Sequence, residues 1–198
     1  MTEITVKPSG HALGADIEGI DLSLPMDDET FQEILDAWAE HLVLRFRGQK
    51  LTDDQLAEFS ARFGALDDAP IRASGTPEHE RRRDIAVISN IVEGDKPVGS
   101  LGNSELVWHQ DMSYKDLPPK ASILYGVETP ATGGNTEFYN LYKAYETLPD
   151  DLKQRIQGLK IKHDATRNSA GQARVGMEGE YTNEKRPGAV HPLVARHP

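Results

Sequence analysis

Apolar residues recur at helical spacing twice in the first third of the chain. Phe31, Ile34, Leu35, Trp38 and Leu42 share one face, and Asp27 and Asp28 precede them where a carboxylate can accept the free N–H groups of a first turn. The second helix opens on the capping-box pattern of Thr52 and Gln55, carries Leu56, Phe59 and Phe63 on one side, and stops at Gly64. Elsewhere the apolar runs are short. Ile4 to Leu24, broken by Gly10, Gly14 and Gly19, suits strands joined by turns, and Leu42 to Phe46 reads as a buried strand turned by Arg47-Gly48-Gln49. Ile85 to Ser89, Ala121 to Val127 and Leu159 to His163 read as further strands. The polar, turn-rich stretches Arg72 to Asp84 and Glu93 to Gly102 read as loops.

Pro130 to Asn135, with Gly133-Gly134, predicts a turn. Asn140 is placed to cap a short helix through Tyr145, and a second spans Asp150 to Gln157. Thr166 to Pro187 is polar, contains Gly171, Gly176 and Gly179, and shows no periodicity, which suits a mobile insertion or lid. Ala189 to Pro198 reads as a strand entering a turn. A strand needs a neighbour to complete its hydrogen bonds. At 198 residues a single domain, residues 1–198, is expected.

The chain is 37% hydrophobic, enough for a packed core, and carries 32 Asp+Glu against 22 Lys+Arg, a net charge of −10. That acidity repels phosphate backbones, and Arg81-Arg82-Arg83 follows Glu78 and Glu80 directly, so nucleic acid is not an expected partner. The first residues show no basic region followed by an apolar run, and no window reaches the ~18 apolar residues of a membrane span. A soluble, cytoplasmic protein without a membrane partner is expected, its homo-oligomeric state left open. There are no cysteines, which leaves His, Asp and Glu as strong metal ligands.

The most informative segment is Val107-Trp108-His109-Gln110-Asp111-Met112-Ser113-Tyr114. In an extended backbone His109 and Asp111 point to one side, their Cα atoms about 7 Å apart, and Gln110 points away. An imidazole and a carboxylate so placed can grip one ion, as two of the three ligands in the two-histidine, one-carboxylate triad of non-haem Fe(II). Alone the triplet is weak evidence, since such triplets arise often by chance, and it then reads better as a surface turn.

Its context narrows the choice. Gly14-Ala15-Asp16-Ile17 through Asp21-Leu22, Leu42 to Gln49, Phe59 to Gly64, Trp108 to Asp111, Pro118 to Leu124, Gly133 to Glu137, Ala144-Tyr145 and His191 to Val194 occur in an order that resembles the taurine / 2,4-dichlorophenoxyacetate dioxygenase (TauD/TfdA) family. The resemblance implies a mixed α/β, mainly β fold: a double-stranded β-helix, or jelly roll, with flanking helices. It further implies Fe(II) held by His109 and Asp111 as catalytic ligands, and 2-oxoglutarate as co-substrate with its far carboxylate bonded by Thr136. The implied reaction consumes O2, releases succinate and CO2, and hydroxylates a small organic acid.

In the family a distal histidine and an arginine follow the region matched by His191 to Val194, and this chain ends first. His191 and His197 match the segment upstream of the distal ligand, and His163 matches a position that is not a ligand; His11, His41 and His79 read as scaffold or surface residues. The expectation is therefore an incomplete jelly roll and weak catalysis: either the encoded protein is longer, or the chain is a noncatalytic remnant or pseudoenzyme acting at most as a binding module. A metal-binding jelly roll of the cupin kind, without 2-oxoglutarate, is a further alternative. For substrate, Arg72 and Lys96 are candidates to hold a carboxylate, since a fixed cation orients an anion beside the reacting centre.

Overall fold

Asp27 begins the longest helix as its sequence position suggests. In the computed structural model, which describes residues 3–69, 79, 81–102, 107–169, 171, 173–174 and 176–196, the Asp27 carboxylate accepts from the Thr30 N–H at 2.7 Å and opens helix α1, Asp28–His41. Leu42 ends it at φ 67, with its N–H bonded to the Trp38 carbonyl and the Trp38 indole N–H bonded to the Leu42 carbonyl at 3.0 Å. Asp27→Ala removes the cap and should cost about 1 kcal/mol, read as a lower urea midpoint with an unchanged slope.

Two compact units make up the chain. The first comprises Met1–Phe59 and Leu124–Arg155, the second Ser60–Ile123 and Ile156–Pro198. In the first unit, strand β1, Thr5–Pro8, pairs antiparallel with β2, Ala15–Glu18, and β2 pairs parallel with β3, Leu44–Phe46, in the order β1-β2-β3. Ile17 and Ala15 alternate with more exposed neighbours on β2, the period-two pattern of a half-buried strand, and with Leu22, Phe31, Ile34 and Ala37 they form the core, where Ile34 is 0% exposed. Helix α2, Asp53–Ala61, starts at the expected capping box: Gln55 N–H donates to Thr52 Oγ1 at 3.3 Å and Thr52 N–H donates to Gln55 Oε1 at 2.9 Å. Phe59 is buried and meets the Phe46 ring edge-on at 5.7 Å. Helix α3, Leu141–Glu146, is capped by the Asn140 side chain on Lys143 N–H, and α4, Asp150–Ile156, follows.

Among the described residues the second unit holds three two-stranded sheets. Strand β4, Ile88–Ser89, runs parallel to β7, Ser100–Leu101; β5, Val92–Glu93, forms a hairpin with β6, Lys96–Pro97; β8, Lys160–Lys162, pairs antiparallel with β9, Val190–Pro192. The tightest backbone approach here is at Gly188, φ +140, where an added Cβ would lie 2.9 Å from the His163 carbonyl carbon and closer still to its oxygen. No helix among the described residues is long and apolar enough to cross a membrane.

Several expectations change. The run Leu42 to Phe46 is strand only from Leu44, and it is not buried: Arg45 is exposed and its neighbours half so, because β3 is the edge of its sheet. Arg45 faces out to grip Asp16 through Nε at 2.5 Å and Nη2 at 2.9 Å. Ala121 to Val127 contains no strand, for no partner strand meets its backbone among the described residues, and Leu124 and Val127 are exposed. Conversely, Glu93 to Gly102, expected as loop, carries the β5–β6 hairpin and β7; the Asp95 and Gly94 turn, with Gly94 at φ 62, supplies the reversal. Ile85 to Ser89 shortens to two strand residues. Among the described residues the sheets are small, and helix occupies more of the chain than strand.

Candidate functional site

His109 and Asp111 converge. His109 Nε2 lies 3.1 Å from Asp111 Oδ1, although the backbone there is not part of a sheet and turns at once through Asp111–Tyr114, with Met112 at φ 49. The two side chains are 38% and 55% exposed, so the contact adds little to folding, about 0–1 kcal/mol for a surface ion pair.

The other ring nitrogen decides what the pair can do. His109 Nδ1 lies 2.8 Å from the Val107 carbonyl oxygen, which can only accept, so Nδ1 carries the hydrogen. In a neutral ring Nε2 is then a lone pair, and it faces a carboxylate oxygen, also a lone pair. Two acceptors at 3.1 Å need a cation between them, either a proton on the imidazole or a metal ion. With a ring hydrogen bonded to a backbone carbonyl, the arrangement is the usual outer support of a metal-binding histidine. Asp111 Oδ2 is engaged separately, accepting from the Ser122 hydroxyl at 2.7 Å.

The turn that carries Asp111 is held from two sides. His191 Nε2 donates to the carbonyls of Ser113, at 3.0 Å, and Lys115, at 2.9 Å, while Ala189 N–H donates to the Tyr114 carbonyl at 3.0 Å. His163 meets the His191 ring edge-on at 5.3 Å, the packed role its sequence position suggests. On the other side Lys115 Nζ pairs with Asp67, and that hydrogen bond holds the Asp67 carboxyl below its ordinary pKa.

The remaining sequence candidates are less gathered. Thr136 is exposed in the first unit, shortly after the Gly133-Gly134 bend, where both glycines take positive φ. Lys96 stands exposed on β6 opposite Glu93. Arg72 and His197 lie outside the described residues. His11 is exposed, His41 ends α1, and His79 Nδ1 accepts from the Arg81 and Arg82 N–H groups. Among the described residues no group of three or more His, Asp or Glu gathers around one point.

Described residues of Thr166 to Pro187, expected as a mobile insertion or lid, are tied to their surroundings at several points. Arg186 Nη1 pairs with Asp164 Oδ2 at 2.9 Å, Arg174 stacks 4.2 Å over the Tyr114 ring, and Val107 N–H reaches the Ser169 carbonyl at 3.4 Å. Burial pushes the Asp164 carboxyl up, but hydrogen bonds from Thr166 and Arg186 outweigh it and leave it lowered. Described residues of the segment line an open cleft of about 370 Å³, among them Arg167, Met177, Glu178, Glu180, Tyr181 and Arg186.

Known proteins share this chain's pattern over nearly its whole length. Residues 5–198 match the family described as taurine catabolism dioxygenase TauD, TfdA family. The chain belongs to the TauD/TfdA family. Pentalenolactone F synthase of Streptomyces avermitilis is 35% identical to it over 203 residues, covering 96% of this chain and 65% of the relative. The alpha-ketoglutarate-dependent 2,4-dichlorophenoxyacetate dioxygenase of Cupriavidus pinatubonensis is 32% identical over 170 residues, covering 82% of this chain and 58% of the relative. Among solved structures, AAD-2 in complex with Mn(II) and N-oxalylglycine superimposes with a TM-score of 0.66 at 27% identity, over 99% of this chain and 66% of that one. This TauD/TfdA chain thus spans about three-fifths of the length of the two curated relatives. Ser122 and the Val107 carbonyl are the site features that sequence reasoning misses. A hydroxyl meeting a carboxylate eleven residues away across a turn leaves no periodic signal.

Proposed function

We propose that this chain provides the iron-binding region of an Fe(II)- and 2-oxoglutarate-dependent dioxygenase that hydroxylates a small organic acid, built on a double-stranded β-helix of which the chain holds part. The observation that carries the reading is the meeting of His109 Nε2 and Asp111 Oδ1, two lone pairs at 3.1 Å that want a cation. Nitrogen and carboxylate oxygen together suit a first-row divalent ion such as Fe(II). N-oxalylglycine, bound with Mn(II) in AAD-2, has the shape of 2-oxoglutarate with an NH in place of a methylene, which supports the same co-substrate here.

When bound, iron and 2-oxoglutarate supply the oxidation: O2 is split, one oxygen leaving in succinate as the keto acid loses CO2 and the other entering the substrate C–H bond. The protein's residues position and neutralise. His109 and Asp111 hold the metal, and the Asp111 charge offsets half of its own. Thr136 donates its hydroxyl to the far carboxylate of 2-oxoglutarate, with Gly133-Gly134 letting the backbone turn close by. Arg72 and Lys96 orient the carboxylate of the substrate, and Thr166 to Pro187 covers the site as a lid.

The test is succinate formation, followed by NMR, from protein supplied with Fe(II), 2-oxoglutarate, ascorbate and a panel of phenoxy, alkyl and sulfonic acids. Release of succinate with at least one acid, matched by a hydroxylated product, is the expected result. A second reading, binding without turnover, is favoured by the presence of only two converging donors among the described residues. Metal uptake with no succinate from any acid would establish it.

A further inference from the structure

We infer that Ser122 is a positioning residue for the metal site: it holds Asp111 so that Oδ1, not Oδ2, is presented beside His109 Nε2. The inference rests on the reading of His109 and Asp111 as metal donors and adds a residue to it.

A carboxylate on an exposed turn rotates freely about its Cβ–Cγ bond, and either oxygen could then face the histidine. Here the Ser122 hydroxyl donates to Oδ2 at 2.7 Å, which leaves Oδ1 as the oxygen turned to Nε2. Asp111 is more than half exposed, and Ser122 is exposed too, so water could replace the hydroxyl with no cost to folding. What water cannot supply is a fixed direction.

Direction requires that Ser122 itself be fixed, and the chain between the two residues is stiffened. Pro118 and Pro119 lock φ within the ten residues that connect Asp111 and Ser122. The near end of that connection is pinned by His191 to the Ser113 and Lys115 carbonyls and by Lys115 to Asp67. His109 is oriented in parallel by the Val107 carbonyl. Each donor therefore has one outer partner, a carbonyl for the imidazole and a hydroxyl for the carboxylate. Outer partners of this kind typically change metal affinity about 10–100-fold when removed. The exposure of Ser122 puts it at the low end, near tenfold.

The experiment titrates Co(II) into the metal-free protein and reads affinity and the position of the visible absorption bands, for wild type, Ser122→Ala, Ser122→Thr and Asp111→Ala. Ser122→Ala is expected to raise the Co(II) Kd about tenfold and move the bands, with the melting temperature unchanged, because the freed carboxylate meets the ion differently. Ser122→Thr keeps the hydroxyl and restores both. Should Ser122→Ala bind Co(II) as wild type does while Asp111→Ala loses it, the role of Ser122 is refuted and the metal site stands. A threonine that fails to rescue refutes the role of Ser122 as well. If wild type and Asp111→Ala bind Co(II) equally, the site itself is misassigned and the inference goes with it.

Discussion

Asp111→Ala is expected to abolish both metal binding and succinate release while leaving the fold intact. Asp111 is exposed, and its contact with His109 contributes little to stability, so nothing in the core depends on it. Its loss to the site is much larger. Removing a mere outer partner of a ligand costs about 10–100-fold in affinity, and under the proposed function Asp111 would be a direct donor carrying the only negative charge of the pair, so the drop should exceed the top of that range. Isothermal titration with Mn(II) measures the binding, circular dichroism the fold, and NMR the succinate. Asp111→Asn separates charge from shape: its amide still fills the space but brings no charge, and an NH2 turned toward Nε2 would satisfy that lone pair without a metal. It should therefore bind metal as poorly as alanine. Metal affinity retained in either variant would show that the ion, if any, sits elsewhere.

His109 and Asp111 are close in sequence, but the alternation that would bring them to one side assumes an extended backbone, and here the chain bends at Trp108 and turns from Asp111, so the two side chains meet through a turn instead. The two long helices are legible in the sequence. Asp27, Thr52, Gln55 and Asn140 act on N–H groups within three residues of themselves, so their caps follow from spacing alone. Ala121 to Val127 misleads because its apolar content says nothing about whether a partner strand is present, and strand pairing is a long-range property. The β5–β6 hairpin escapes for the converse reason: Val92-Glu93 and Lys96-Pro97 are too short and too polar to show a period, and only the Asp95 and Gly94 turn between them carries a signal. The supports of the site are illegible in the same way. Ser122 on Asp111, and His191 on the Ser113 and Lys115 carbonyls, are contacts across 11, 78 and 76 residues. Chain order gives no hint of them.

Those distant supports make the site sensitive to a glycine outside it. Gly188 sits where β9 returns against the residues that follow β8, at φ +140, and a Cβ there would collide with the His163 carbonyl and come within 3.2 Å of Ala165 N. The obstacles are backbone atoms, which cannot rotate aside like a flexible side chain. Alanine at 188 must therefore push β9 off β8 or strain the backbone, and the pairing includes His163 N–H to the Ala189 carbonyl and Ala189 N–H to the Tyr114 carbonyl. A control separates collision from conformation. Gly176, at φ +73 in the same stretch of chain, has open space around an added Cβ, so Gly176→Ala should cost only the left-handed penalty of about 1–2 kcal/mol. Gly188→Ala should cost at least about 4 kcal/mol, the range reached when overpacking and lost hydrogen bonds act together. Urea unfolding of the two variants measures the difference. Because β9 also carries His191 and adjoins Ala189, displacing it frees the turn on which Asp111 rides, so Gly188→Ala should weaken Mn(II) binding even at temperatures where the protein remains folded, whereas Gly176→Ala should not. Equal stability of the two variants would mean that the backbone leaves room for a side chain at 188, and unequal stability with equal metal affinity would mean that the turn keeps its shape without β9 in place.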